Sequence, residues 1–343
     1  MPKTIKKCFY SKLTFEKMLE AHNRASRGKK GKKEVILFEM NLETNIVKIL
    51  DDIRTGKYKF GEYREFVIYE PKKRIIKSLP YRDRVVHQWY IEEFIKPYFM
   101  KVFINETYAC LDEKGTHKAV YNIQKQMRIA KNIYGSGYYV LKTDIKKYFY
   151  SIDKNILMNI LKKRISDKRL LEFSYLILDD GTNIGIPIGN YTSQFFANIY
   201  LNELDHYVKY ELKIKFYTRY MDDQIFLLKN KKEAKKVFLQ VEKYITEKLN
   251  LRLNKKSKYF PNKKGIDFCG YVIFPTHIKL RKRFKNKLKK NINLWVKLKC
   301  KNRLNEEKFY LSYNSFKAHG MHSDSYNFFN KIDKLLKDKN LRQ

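Results

Sequence analysis

The chain has 343 residues, of which 74 are lysine or arginine and 36 are acidic, giving a formal net charge of +38. Such an excess predicts a polyanionic partner, most often nucleic acid, and salt-dependent binding. Genomic bias is a second explanation for part of the lysine excess, because Asn, Ile and Tyr are also frequent. The four scattered cysteines form no CxxC pair, which argues against a zinc finger. With no apolar signal core and no run of about 18 apolar residues, we expect a soluble, cytoplasmic protein without membrane association.

Hydrophobic periodicity predicts a mixture of helices and strands along the chain. In chain order, we predict helices at 14–25 and 42–53, a hairpin at 65–79, a helix at 85–94, a helix after Gly115, and helices at 154–165, 167–178, 192–212 and 231–249. A strongly basic run, 26–33, is predicted to form a loop near phosphates, with a merely solvated loop as the alternative.

The tetrapeptide Tyr220-Met221-Asp222-Asp223 lies between two aromatic and branched runs, 215–219 and 224–228, that both predict strands. Two adjacent carboxylates at a hairpin turn repel each other. A divalent cation would relieve that repulsion, because Mg²⁺ prefers oxygen ligands. The alternative is a solvated turn, since aspartate is a common turn residue.

A third carboxylate favours a metal site. Asp144 lies where a predicted buried strand, 137–143, ends. Beside the hairpin, it would complete a cluster for two metal ions about 3.5–4 Å apart, which can activate an attacking hydroxyl and stabilise the leaving oxygen of a phosphoryl transfer. Without the hairpin, Asp144 would be better explained as a helix cap.

Three segments carry a family resemblance. Residues 142–149 (KTDIKKYF), 185–194 (GIPIGNYTSQ) and 220–223 (YMDD) resemble motifs A, B and C of reverse transcriptases, in that order. The resemblance extends over roughly residues 70–330. Within that family, the chain most resembles the enzymes of bacterial diversity-generating retroelements.

The resemblance implies an α+β fold of the right-hand polymerase type, with fingers and palm formed by an antiparallel sheet packed on helices, and with a helical thumb. The domain boundaries predicted from it are a basic N-terminal extension at 1–40, mainly fingers at 41–136, mainly palm with motifs A to D at 137–264, a primer grip at 265–276 and the thumb at 277–343.

The resemblance also implies roles at the catalytic centre. Asp144, Asp222 and Asp223 would be catalytic and hold two Mg²⁺ ions, for which Mn²⁺ can substitute, with the backbone carbonyl of Ile145 as an extra ligand. Phe149 matches the residue that excludes the 2′-hydroxyl of ribonucleotides. The alternative is that Phe149 is a core aromatic residue that packs beside Tyr148.

Other positions match family motifs that contact nucleotide or nucleic acid. Arg74 best matches the basic residue that grips the triphosphate, with Lys72 and Lys73 as substitutes and a merely exposed basic hairpin as the alternative. The other matched positions are Arg82 and Lys256 near the triphosphate, Ile188 and Gly189 in the nucleotide pocket, Tyr220 and Met221 under the primer terminus, Gly270 and Tyr271 in the primer grip, and His117 as a template contact.

Motif B departs from the pattern of most reverse transcriptases. They have Gln-Gly and Ser-Pro where this chain has Ile188-Gly189 and Ser193-Gln194, a departure shared with diversity-generating retroelement enzymes, which misincorporate at template adenines. Replacing glutamine by Ile188 removes a hydrogen bond worth about 0.5–1.5 kcal/mol, and Gln194 in place of proline is expected to change the loop's shape. The alternative is that Ile188 only packs beneath the loop.

The predicted function is therefore error-prone, adenine-mutagenised cDNA synthesis from a template-repeat RNA for diversity-generating retrohoming. The expected partners are template RNA, the cDNA or primer strand, dNTPs and a small basic accessory variability protein. The alternatives are a retron, group II intron-like or abortive-infection (defence) reverse transcriptase. A non-catalytic RNA-binding protein on a polymerase scaffold is a further alternative, against which the three carboxylates argue.

Overall fold

The protein, described by a computed structural model over residues 4–69 and 73–341, is built as two compact units of chain. The first unit contains Met1–Leu111, Thr143–Ile214 and Leu239–Lys256, and the second contains Asp112–Lys142, Lys215–Phe238 and Ser257–Gln343. The chain therefore passes from one unit to the other several times.

The first unit begins with three helices, α1 (Phe15–Ser26), α2 (Lys33–Glu39) and α3 (Leu42–Arg54). The side chain of Thr14 caps α1 by accepting a hydrogen bond from the Lys17 amide at 3.3 Å. The structure confirms the predicted helices at 14–25 and 42–53. It also shows a short helix, α2, that the sequence analysis did not predict.

A two-stranded antiparallel hairpin follows, β1 (Arg64–Ile68) and β2 (Arg74–Ser78), as predicted. All five β1 side chains are exposed. Pro71 and Lys72, in the predicted turn, lie outside the described residues. Beyond the hairpin, α4 (Tyr81–Tyr90) continues through a π-helical turn at Ile91–Ile95 into α5 (Lys96–Phe99).

The rest of the first unit is mostly helical. Its helices are α7 (Tyr148–Ser151), α8 (Lys154–Lys162), α9 (Lys168–Leu178) and α10 (Tyr191–His206), after which a π-helical turn covers Tyr207–Glu211. Asp153 and Asp167 cap α8 and α9. Most α10 side chains are buried, as expected for a helix at the centre of a core.

The second unit contains a four-stranded sheet with the order β4-β5-β3-β6. The strands are β3 (Tyr139–Thr143), β4 (Phe216–Tyr220), β5 (Asp223–Leu228) and β6 (Lys258–Pro261). Helix α6 (Thr116–Tyr134) contacts this sheet, and its Asn122 Nδ2 donates to Thr218 Oγ1 at 3.1 Å. Helix α11 (Lys231–Leu249) begins in the second unit and ends in the first.

A second, three-stranded antiparallel sheet of β7 (Ile266–Phe268), β8 (Tyr271–Ile273) and β9 (Ile278–Leu280) leads into a helical C-terminal region. Its helices are α12 (Lys282–Cys300), α13 (Glu306–Gly320) and α14 (Tyr326–Asp338). They pack through apolar side chains, with the rings of Trp295 and Phe309 5.0 Å apart. Antiparallel sheets packed with helices confirm the predicted α+β class. Within the described ranges, no helix is long and apolar enough to cross a bilayer.

Candidate active site

The two adjacent aspartates lie at the tip of the β4–β5 hairpin, as predicted. Tyr220 pairs with Asp223 across the hairpin, so Met221 and Asp222 form a two-residue turn. Met221 has a φ of +52°, in the left-handed region that such tight turns require. Asp222 and Asp223 are both half-buried. The hairpin therefore presents two carboxylates side by side from a backbone with little freedom.

Arg219 supports this turn from inside the protein, a role that sequence reasoning missed. The Arg219 side chain is fully buried, and its Nη1 donates to the carbonyl oxygen of Met221 at 3.1 Å. A buried guanidinium is costly unless it is hydrogen-bonded. Arg219 therefore ties the core of the second unit to the conformation of the hairpin turn.

Lys142 neutralises one of the hairpin carboxylates. Its Nζ lies 3.3 Å from Asp223 Oδ1 and donates to the backbone carbonyl of Asp267 at 2.7 Å. Lys142 is the penultimate residue of β3, the neighbour of β5 in the sheet. The sheet thus supplies a cation next to Asp223.

Asp144 belongs to the first unit and follows β3 directly. Its carboxylate Oδ2 accepts a hydrogen bond from Asn254 Nδ2 at 2.8 Å, and its backbone carbonyl accepts one from the Asn254 amide at 2.7 Å. Next to it, the buried Ile145 forms a β-bridge with Leu253. Asn254 therefore fixes both the backbone and the side chain of Asp144.

The chemistry of these donors fits divalent cations. Asp144 accepts a hydrogen bond from the side-chain amide of Asn254, and Asp223 forms an ion pair with the ammonium group of Lys142. Ionised carboxylates are the oxygen ligands that Mg²⁺ takes in phosphoryl-transfer enzymes. Across the described residues, no three His, Cys, Asp or Glu side chains form a group able to hold a metal ion. The assignment of the three aspartates and the Ile145 carbonyl as metal ligands therefore stays a prediction.

The motif B loop lies against the outer edge of β2 in the first unit. The carbonyl of Ile188 accepts a hydrogen bond from the Lys77 amide at 2.8 Å. Gly189 has a φ of +127°, and a Cβ there would lie 2.6 Å from the Lys77 carbonyl oxygen, so only glycine fits. Beside it, Asn190 Nδ2 donates to the Tyr63 hydroxyl at 2.8 Å. Ile188 is half-buried, and Gln194 is exposed on the first turn of α10.

The predicted triphosphate-gripping residues have different surroundings. Arg74 is exposed at the start of β2. Arg82 forms an ion pair with Asp52, and its guanidinium lies 4.4 Å from the centre of the Tyr58 ring. Lys256 is exposed in the loop that also carries Asn254. Arg82 therefore already has an anionic and an aromatic partner in the first unit.

Phe149 lies in α7, where its ring is half-buried and packs edge-on against Tyr148 at 5.7 Å. The Phe149 carbonyl accepts a hydrogen bond from the Ile186 amide at 2.8 Å, which links α7 to the start of the motif B loop. Tyr148 is buried and donates to the Ala197 carbonyl of α10 at 2.5 Å. The backbone at Phe149 is therefore held, whereas its ring retains an exposed face.

The predicted primer and template positions lie together in the second unit. The Tyr220 hydroxyl accepts a hydrogen bond from Thr116 Oγ1 at 3.2 Å. Gly270, with a φ of +96°, forms the β7–β8 turn, and Tyr271 stacks on His319 at 4.5 Å. His117, in the first turn of α6, stacks on His322 with the rings 3.5 Å apart.

Burial lowers the pKa of His117, and the neighbouring His322 lowers it further. Burial likewise lowers the pKa of His319, with smaller contributions from His117 and His322. His117 and His319 therefore favour the neutral form in the folded protein. A neutral imidazole at His117 can donate one hydrogen bond and accept another, as a contact to nucleic acid requires.

Comparison with known proteins identifies similar sequences. The group II intron-encoded protein LtrA of Lactococcus lactis subsp. cremoris is 24% identical over 298 residues, covering 80% of this chain and 48% of that protein. A putative COX1/OXI3 intron 2 protein of Saccharomyces cerevisiae is 26% identical over 227 residues, covering 60% of this chain and 25% of that protein. The chain thus spans about half the length of the first relative and a quarter of the second.

Among solved structures, telomerase from Candida albicans in complex with a TWJ fragment of telomeric RNA aligns with a TM-score of 0.48 and 14% identity. That alignment covers 72% of this chain and 50% of the telomerase chain.

The family described as reverse transcriptase (RNA-dependent DNA polymerase) matches residues 70–273, more than half of the chain. The match includes Asp144, the motif B loop and the β4–β5 hairpin. The chain belongs to the reverse transcriptase family.

Proposed function

We propose that this chain copies RNA into DNA, with the 3′-hydroxyl of a primer attacking the α-phosphate of a dNTP. The observation that carries this proposal is the β4–β5 hairpin, which presents Asp222 and Asp223 from a turn held by the buried Arg219. The positions of the acidic residues support it, because Asp144 directly follows strand β3 and Asp223 begins strand β5.

In this proposal, Asp144, Asp222 and Asp223 hold two Mg²⁺ ions, and the Ile145 carbonyl adds a ligand. When bound, the ions lower the pKa of the primer hydroxyl and stabilise the leaving pyrophosphate. The protein's own contribution is orientation. Asn254 directs the Asp144 carboxylate, and Arg219 holds the backbone of the turn that carries Asp222.

The remaining predicted residues bind the nucleotide and the nucleic acid. Arg74 is preferred as the grip on the triphosphate, because Arg82 is already paired with Asp52. The half-buried ring of Phe149 would exclude the 2′-hydroxyl of a ribonucleotide. The other proposed contacts are Lys256, Ile188 and Gly189 with the dNTP, and Tyr220, Met221, Gly270, Tyr271 and His117 with primer and template.

We further propose that the copying is error-prone at template adenines and serves diversity-generating retrohoming. The sequence Ile188-Gly189 followed by Ser193-Gln194 supports this finer assignment. The proposed partners are a template-repeat RNA and a small basic accessory protein, and the proposed location is the cytoplasm. The predicted fingers, palm, primer-grip and thumb boundaries are part of the same proposal.

A second candidate is an intron-type reverse transcriptase that copies its RNA with ordinary fidelity. The similarity to the intron-encoded proteins of Lactococcus lactis and Saccharomyces cerevisiae favours it. The two candidates share the polymerisation chemistry and differ in the distribution of errors, so sequencing of the product separates them.

Primer extension by the purified full chain tests the proposal. We expect DNA synthesis from oligo-dT on poly-rA with Mg²⁺ and dTTP, and none when the template is omitted. On a heteropolymeric RNA, the errors are expected to concentrate opposite adenine. Synthesis without template would indicate an untemplated defence polymerase, and RNA binding without synthesis would indicate a non-catalytic protein.

A further inference from the structure

The ammonium group of Lys142 is part of a compact charged cluster in the second unit. It lies 3.3 Å from Asp223 Oδ1, donates to the Asp267 carbonyl at 2.7 Å, and lies 6.0 Å from the centre of the Phe268 ring. Only 20% of its side chain is exposed. One flexible lysine is thus fixed between the β4–β5 hairpin and strand β7.

The cluster extends from β7 to the C-terminal helices. The Asp267 carboxylate forms an ion pair with Arg281, the residue immediately before α12. Cys269, in the β7–β8 turn, lies within reach of the same charges. Burial, together with the nearby Asp223, raises the pKa of its thiol to about 12, although Lys142 and Arg281 oppose this rise. A continuous chain of contacts therefore runs from Asp223 through Lys142 to the start of α12.

We infer that Lys142 is a positioning residue that holds Asp223 against the β7–β8 hairpin and compensates its charge before divalent ions bind. This inference rests on the proposed function, since it concerns the same metal site. Because β7–β8 is the predicted primer grip, Lys142 would also align the site with the primer terminus. The Asp267–Arg281 pair extends that alignment to the predicted thumb.

The inference predicts opposite effects on metal binding and on turnover. A divalent ion that approaches Asp223 must compete with an ammonium group already present. A neutral side chain at position 142 removes that competition, so the ion binds more tightly. The same change releases Asp223 from the hairpin, so turnover falls.

The size of the metal effect follows from the distance. At about 4 Å in bulk water, the interaction of one unit charge with a divalent ion is on the order of 2 kcal/mol, and screening by salt reduces it to about a fivefold change in affinity. Because the cluster is partly exposed, we expect the dissociation constant for Mn²⁺ to fall by about threefold to tenfold, and not by more.

The test compares Lys142→Met with Lys142→Arg and Lys258→Met in the full chain. Lys258 is the matched control because it lies directly opposite Lys142 in the β3–β6 pair and is exposed, with its Nζ 5.9 Å from the centre of the Phe260 ring. Mn²⁺ binding is measured by electron paramagnetic resonance, and turnover and the KM for dNTP are measured by primer extension.

We expect Lys142→Met to bind Mn²⁺ more tightly and to lose about tenfold in kcat with little change in KM, because the orientation of Asp223 rather than nucleotide binding is disturbed. Lys142→Arg should keep the Mn²⁺ affinity and the kcat close to those of the wild type, and Lys258→Met should match the wild type in both. The tighter Mn²⁺ binding should disappear when Asp222 and Asp223 are both changed to Asn.

Unchanged Mn²⁺ affinity in Lys142→Met, or an equal shift in Lys258→Met, would overturn the inference. If Lys142→Met does not fold, Lys142→Gln keeps a donor for the Asp267 carbonyl and should show the same tightening. A wild-type protein that does not polymerise would contradict the proposed function, whereas the Mn²⁺ comparison would still decide the role of Lys142. Normal polymerisation with no effect at position 142 would contradict this inference alone.

Discussion

Asp144 and Asp223 are supported in different ways in the two units. Asp144 accepts hydrogen bonds from a neutral amide, Asn254, whereas Asp223 lies beside the cationic Lys142. A neutral donor orients a carboxylate and leaves its negative charge available to a metal ion. A cation orients it and cancels part of that charge. The two aspartates are therefore expected to respond differently when their supports are removed.

Removing a carboxylate charge itself is the largest perturbation. We expect Asp222→Asn to abolish primer extension, because an amide cannot compensate two divalent cations. RNA binding should persist, since it depends on lysines and arginines spread along the chain. Primer extension and filter binding measure the two properties, with the exposed Asp179→Asn as the matched control. Full incorporation activity in Asp222→Asn would refute the metal assignment.

Loss of the neutral support should have the next largest effect. Asn254→Ala removes a hydrogen bond to a charged group, worth about 1.5–3 kcal/mol, so we expect kcat to fall about ten- to hundredfold. In contrast to Lys142→Met, Mn²⁺ binding should not tighten, because no positive charge is lost. Lys255→Ala, in the same loop, serves as the control. Tighter Mn²⁺ binding in Asn254→Ala would contradict the proposed difference between the neutral Asn254 and the cationic Lys142.

A third test uses a neutral buried group of the first unit, His87. Burial lowers the pKa of His87 to about 3, from about 6.5 in an unfolded chain. Below pH 6.5 the unfolded chain therefore binds a proton that the folded chain does not. The contribution of the neutral His87 to the free energy of unfolding is fully present above pH 6.5 and is lost progressively as the pH falls towards 3. At pH 5 the loss is about 2 kcal/mol.

Urea unfolding at pH 7, 6 and 5 measures this loss. His87→Asn retains a polar atom for Thr192, whose hydroxyl lies 3.3 Å from His87 Nδ1, and cannot titrate in this range. Between pH 7 and pH 5, the free energy of unfolding of His87→Asn should fall by about 2 kcal/mol less than that of the wild type. Equal pH dependence would show that His87 is protonated in the folded state or accessible to water.

The smallest expected effect is on fidelity. Ile188→Gln restores a hydrogen-bonding side chain worth about 0.5–1.5 kcal/mol. We therefore expect misincorporation opposite template adenine to fall several-fold, with less change at other bases and with activity retained. Sequencing cDNA from both proteins on one adenine-rich template measures it. Unchanged adenine errors would leave Ile188 with a packing role only.

The regular elements could be predicted because their causes are local. Helix α11 and the two hairpins follow from periodicity and turn composition, and the structure confirms them. Helix α2 and strand β6 were missed. Helix α2 directly follows a glycine- and lysine-rich run, and β6 depends on pairing with β3, which is distant in sequence. Propensity alone does not reveal such pairing.

The sequence pointed to the acidic residues of the candidate site, but it did not point to the side chains that hold them in place. Asn254, Lys142 and Arg219 act on residues that the fold brings to them, and each residue type is common on protein surfaces. Arg219 had one usable signal, a charged residue in an aromatic-rich strand next to the aspartates. Such a residue needs a buried partner. The roles assigned to the dNTP and primer residues stay predictions.

The β1–β2 hairpin has consequences for local unfolding. Its β1 side chains are all exposed, and a two-stranded hairpin alone is only marginally stable in water. Its outer edge, however, is hydrogen-bonded to the motif B loop through Lys77 and Ile188, and to the Tyr150 hydroxyl through the Ile75 carbonyl at 3.4 Å. The hairpin and the motif B loop should therefore open together. The hydrogen-exchange rate of the Lys77 amide should then depend on how often the loop that carries Ile188 opens.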